Sequence, residues 1–251
     1  MDLYVLKLIA LFAAGFVSAI INTIAGGGSF LTVPLLIFMG LPPTVANGTN
    51  RLGVFMQSLS GINKFRSYGM FPLKLGIQIS IPATAGALVG AYMATIISDE
   101  MFRKYFAVFM VLMTLVTFLK PKKPVNFSDV KLTPAKWVLV YILFFFVGVY
   151  GGFIQAGVGF LFLAAFAVTG ADLVTGNALK LFVVMVFTFF ALIIFIYSGK
   201  VDFFLGFILA AGSSLGAIVG AKLSVKKGEK FVRKFVVVAV ITFAVLLLVR
   251  N

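Results

Sequence analysis

Ten apolar runs divide the chain, at roughly 3–24, 29–41, 43–63, 72–97, 101–119, 135–155, 158–171, 173–197, 203–224 and 231–249. Most reach or approach the ~20 residues that a helix needs to cross ~30 Å of hydrocarbon. The runs at 29–41 and 158–171 are short, and 13 helical residues reach only about 20 Å. Each short run follows a glycine cluster: Gly26, Gly27 and Gly28 in one case, Gly157 and Gly159 in the other. The pattern predicts an all-α integral membrane protein in which two helices begin below the membrane surface.

The runs form two sets of five. Shifting the chain by 130 places Gly27 on Gly157, Gly40 on Gly170, Gly69 on Gly199, Gly76 on Gly206, Gly86 on Gly216 and Gly90 on Gly220, without a gap. "GALVGA" at 86–91 lies over "GAIVGA" at 216–221, and Asn47 lies over Asn177. This is an internal duplication, with repeat 1 over 1–119, a polar linker over 120–134 and repeat 2 over 135–251. "LIALFAAGFVSA" (8–19) resembles a signal-peptide core, but the repeat requires it as a permanent helix.

Charge gives the orientation. Only 11% of the 251 residues are charged and 62% are hydrophobic, against about 25% charged in a soluble domain. The net charge of +14 does not mark a nucleic-acid partner, because the basic residues cluster between apolar runs. Lys64, Arg66 and Lys74 form one cluster, the lysines from Lys120 to Lys136 a second, and the residues from Lys222 to Lys234 a third. With ten alternating crossings all three fall on one side, the cytoplasmic side of a cell (inner) membrane. Five crossings is an odd number, so the halves must be inverted. Protease added to oriented vesicles should therefore cut the 120–134 linker from the cytoplasmic face; cleavage from the outer face alone would reverse the topology.

The chain has no cysteine and no histidine. That removes disulfides, thiolate metal sites and the commonest general base, so neither a metal, a cofactor nor an enzymatic activity is expected. "GSSLG" (212–216) has the spacing of a nucleophile elbow; without histidine it reads as a small-residue helix contact. Arg51 and Lys180 are the charged residues well inside runs, about 12 Å from the start of each. A charge at a helix centre costs about 2.5–3.5 kcal/mol on translocon scales and needs a partner. All seven acids map to ends and loops, which leaves a substrate anion, or alternatively helix-end carbonyls or an interface.

The candidate site follows. Asn47 shares a helix face with Arg51, as Asn177 does with Lys180. Asn50 is the exact repeat mate of Lys180, with Thr49 beside it. Asn22, Ser29 and Gln155 flank the glycine turns. The turns at Gly26–Gly28 and Gly157–Gly159 would offer backbone N–H groups at positive helix ends, which favour an anion.

"AGGGSFLTVPLLIFMGLPPTVANGTNRLG" followed by "NKFRSYGM" resembles the TauE/SafE family of membrane permeases. The likeness extends over the whole chain and is most specific in the first half; "GVGFLFLAAF" (157–166) lacks the glycine triple and the proline. The resemblance implies a carrier for sulfite or a short organosulfonate. The expected function is a secondary transporter of such an anion, working outward, with the lipid bilayer as its surroundings. A passive anion channel, or a permease for another sulfur-containing or carboxylate anion, is the alternative.

Overall fold

The computed structural model describes residues 3–71, 73–117, 133–169 and 173–249. The described residues fold into helices α1 (Leu3–Ile24), α2 (Ser29–Phe38), α3 (Pro43–Arg66), α4 (Leu73–Ile96), α5 (Asp99–Thr117), α6 (Pro134–Phe153), α7 (Val158–Thr169), α8 (Leu173–Tyr197) and α9 (Phe203–Val249). The last is one tract broken at Gly228, whose φ of 68° interrupts the helix where the hydropathy pattern separates two runs. Residues 118–132, which hold most of the 120–134 linker, lie outside the described residues, as do Gly170 and Asp172.

Local signals set the ends. Proline opens α3 and α6, where a missing N–H costs nothing. Ser98 Oγ accepts from the Met101 N–H at 3.3 Å in the first turn of α5. Asp202 Oδ1 accepts from the Leu205 N–H at 2.9 Å at the start of α9. At the end of α3, Gly69 N–H donates to Arg66 O and Met70 N–H to Phe65 O. At the end of α8, Gly199 does the same to Ile196 and Lys200 to Phe195. Both are Schellman caps with glycine at positive φ, 72° and 65°, and the second is the first shifted by 130.

Helix packing relies on missing side chains. α1 packs along α9, and α6 along α4. Gly212 and Gly216 lie against the carbonyls of Phe12 and Phe16, and Gly86 and Gly90 against those of Phe145 and Val149. Close approach of this kind drives helix association where lipid removes the hydrophobic force. It also explains "GSSLG": its glycines seat α1, and Ser213 Oγ donates to Gly15 O at 3.4 Å.

Among the described residues five helices are long and apolar enough to cross a membrane: Leu3–Ile24, Leu73–Ile96, Pro134–Phe153, Val174–Tyr197 and Phe203–Gly228. α3 is not among them, although it has 24 residues. Its sequence is too polar to face lipid, and the fold encloses it between α8 and α9, with residues from Thr44 to Phe65 buried on several faces. Large apolar side chains are exposed instead on the outer sides of the other helices, among them Ile9 on α1, Ile81 and Tyr92 on α4, Phe146 on α6 and Phe207 on α9.

Candidate functional site

The glycine turns meet in the buried interior. α1 stops at Ile24 and α2 starts at Ser29; between them Gly26 takes φ 109°. α6 stops at Phe153 and α7 starts at Val158; between them Gln155 takes φ 65° and Gly157 φ 76°. A Cβ placed on Gly26 would stand 2.5 Å from Gly159 Cα. The two turns thus touch backbone to backbone, a separation that leaves no room for a side chain on either glycine.

A helix that stops at depth leaves its last carbonyls without partners. Here each broken helix is finished by side chains from the opposite half. Arg51 donates from Nη1 to the Gly151 carbonyl at 3.2 Å and from Nη2 to the Gly152 carbonyl. Asn47 Nδ2 donates to the Phe153 carbonyl at 2.9 Å. In the mirrored arrangement Lys180 Nζ donates to the carbonyls of Asn22 at 2.7 Å and Thr23 at 3.2 Å, and Asn177 Nδ2 to that of Ile24 at 3.0 Å. Asn177 Oδ1 also accepts from Lys180 Nζ at 2.8 Å. The Arg51 guanidinium lies 4.4 Å from the Phe195 ring centroid, a cation–π contact. These partners are the helix-end carbonyls that the sequence left open against a substrate anion.

The remaining predicted residues separate. Asn50 joins the turn: its Nδ2 donates to Ser29 Oγ at 3.2 Å, and its Oδ1 accepts from Thr32 Oγ1 at 2.6 Å. Gln155 Nε2 donates to Thr188 Oγ1 at 2.9 Å. Asn22 contributes its carbonyl. Thr49 points elsewhere, its Oγ1 accepting from the Asp202 N–H at 2.9 Å. There it stands near a polar cluster in which Asp99 Oδ1 accepts from the Thr44 N–H and hydroxyl, and Lys200 Nζ donates to Thr44 Oγ1.

Sequence reading missed Thr32, Gln57, Ser58 and Thr188, all buried polar residues. One signal was present: Ser58 and Thr188 are repeat mates, and Gln57 falls seven residues after Asn50 on the same face. Arg51 Nε, Asn47 Oδ1, Gln57 Nε2, Ser58 Oγ and Gln155 Oε1 are buried without a hydrogen-bond partner. Among the described residues no cluster of acid side chains could hold a metal ion.

Comparison with known proteins gives a consistent picture. The model of the family described as sulfite exporter TauE/SafE matches residues 11–247. A probable membrane transporter protein of Haemophilus influenzae is 31% identical over 244 residues, covering 95% of this chain and 93% of its own. The probable membrane transporter protein ORF9 of a Sinorhizobium species is 30% identical over 243 residues, covering 95% and 91%. The probable membrane transporter protein YfcA of Escherichia coli is 28% identical over 232 residues, covering 91% and 84%. No solved structure matches.

Proposed function

The chain belongs to the sulfite exporter TauE/SafE family and is a multi-pass membrane transporter, and from that premise we propose that it carries a small anion, sulfite or a short organosulfonate, outward across the cytoplasmic membrane. The observation that carries this reading is a pair of buried cations whose partners are all neutral. Arg51 is 0% exposed and Lys180 2%, and both stand on carbonyls and amide oxygen. The carboxyl ends of α1 and α6 contribute about −0.5 charge each, and the starts of α2 and α7 about +0.5 each. The helix ends cancel, so roughly two positive charges remain at the centre. In a low-dielectric interior that field favours an anion.

The two halves are read as an inverted repeat. Five segments per half, mirrored Schellman caps and mirrored capping of α1 by α8 and of α6 by α3 all support it. In such transporters the site lies between the halves near the midplane. Direction follows from the membrane potential. An inside-negative potential expels an anion with about 2.3 kcal/mol per charge per 100 mV, so export needs no coupling ion.

A thermal-shift screen of the purified protein tests the reading, with sulfite, sulfate, thiosulfate, short sulfonates, phosphate and carboxylates. Ligand at ~100 times its dissociation constant stabilises the bound state by about 2.7 kcal/mol, which is a rise of several degrees. Sulfite or a sulfonate should give the largest rise. A profile in which no anion shifts the melting temperature would remove the anion from the proposal.

A further inference from the structure

The two halves place different chemistry on equivalent positions. Ser29, Thr32, Asn50 and Gln57 in the first half correspond to Gly159, Phe162, Lys180 and Phe187 in the second. In the second half Phe162 and Phe187 stack, with centroids 6.3 Å apart and planes 6° from parallel, and fill the space. In the first half the same two positions are a threonine and a glutamine. Ser58 differs from its mate too. Thr188 accepts from Gln155, but the residue equivalent to Gln155 is Ala25, whose side chain has nothing to donate.

The first half consequently holds free donors. Asn50 Nδ2 donates to Ser29 Oγ, so the Ser29 hydroxyl proton is still available. Gln57 Nε2 and Ser58 Oγ are buried, their residues 2% and 0% exposed, and have no partner. Gln57 is two helical turns from Asn50 on the same face of α3, about 10 Å along its axis. Buried polar groups are satisfied in the great majority of cases, and exceptions mark strain, a catalytic role, or a water or ion that completes them. The unpartnered atom of Gln57 is its amide nitrogen, a donor, and Asn50 Oδ1 already accepts from Thr32.

We propose that the anion is bound in the first half alone, by a cradle of neutral donors formed by Ser29, Gln57 and Ser58, with Asn50 and Thr32 as positioning residues. Arg51 and Lys180 act on it through their field, not by contact. Unused donors of this kind fit a deprotonated oxyanion, which accepts at every oxygen. The stacked phenylalanines leave no second site, so one anion binds per chain. This rests on the anion reading above and names the groups that would make contact.

Calorimetric titration of the full-length protein in detergent with sulfite and with methanesulfonate tests it. Native protein should bind one anion per chain. Gln57→Leu should weaken binding about 10- to 100-fold, the worth of a hydrogen bond to a charged group, while its ligand-free melting temperature holds or rises. Ser29→Ala should also weaken binding, and serves if Gln57→Leu does not fold. Phe162→Leu, at the mirrored position of Thr32, should lower the melting temperature and leave the dissociation constant within about twofold. Unchanged binding by Gln57→Leu and Ser29→Ala, or two anions per chain, would overturn the cradle while leaving anion transport in place. If native protein binds neither anion, the transport reading falls and the cradle with it.

Discussion

Replacing Arg51 with glutamine is expected to lower the melting temperature and abolish most anion flux together. Its guanidinium closes the end of α6 by donating to Gly151 and Gly152 and stacks on Phe195. Glutamine carries one NH₂ on a shorter arm, so at least one helix-end carbonyl loses its donor inside the membrane. An unsatisfied buried group costs about 1–3 kcal/mol, and a cation at a partly buried helix carboxyl end contributes up to ~2 kcal/mol. Removing a buried charge returns part of its desolvation cost, for a net loss on the order of 2 kcal/mol. An unpaired buried cation would give the opposite sign, since its removal would hold or raise stability. The helix-end contacts decide between the two. Flux falls for a second reason: half of the positive charge at the centre has gone. Arg51→Lys keeps the charge and one contact, and should retain more flux than glutamine. Melting temperatures with and without sulfite, paired with flux into vesicles, separate the effects. A glutamine variant that melts like the native protein shows that these contacts carry no weight. One that melts low yet responds normally to the anion confines Arg51 to structure.

Much of this was legible because membrane segments advertise themselves. Helix starts at Leu3, Ser29 and Pro43 follow the apolar runs within a residue or two, since in hydrocarbon every backbone group must be paired within its own helix. The glycine triple was legible for the same reason: a turn between two such runs needs residues without side chains. The partners of Arg51 and Lys180 were not. Apart from Asn177, three residues before Lys180, they are main-chain carbonyls 100 or more residues away, and a carbonyl leaves no mark on the residue type that bears it. α3 was half-legible. Its asparagines, glutamine and arginine forbid a lipid-facing helix, but whole-run hydropathy treats it as one more crossing. Thr32 was hidden similarly, as a single hydroxyl in a run of leucine, valine and phenylalanine. It becomes informative only against Phe162, its mate in the other half.

The contact between the glycine turns yields the other large effect. Three alanine substitutions separate what glycine does there. Gly40 has φ 104° with nothing within 4 Å of a would-be Cβ, so Gly40→Ala isolates backbone strain, about 1–2 kcal/mol. Gly159 has no such φ, but its Cβ would fall within 3.0 Å of the Gly26 backbone. Gly159→Ala therefore isolates the clash, about 1–3 kcal/mol or more, because backbone cannot turn aside as a side chain can. Gly26 combines a φ of 109° with the same contact. Gly26→Ala should be the most destabilising, by at least the sum of the other two, on the order of 2–5 kcal/mol. The clash also displaces the starts of α2 and α7, and with them Ser29 beside Asn50. Gly159→Ala should consequently lose anion stabilisation even where it folds, whereas Gly40→Ala should keep it. Chemical or thermal denaturation of the three proteins, each with and without sulfite, checks the ranking. If Gly159→Ala is as stable as the native protein and binds the anion as well, the two turns do not pack against each other, and the centre of the molecule is built differently.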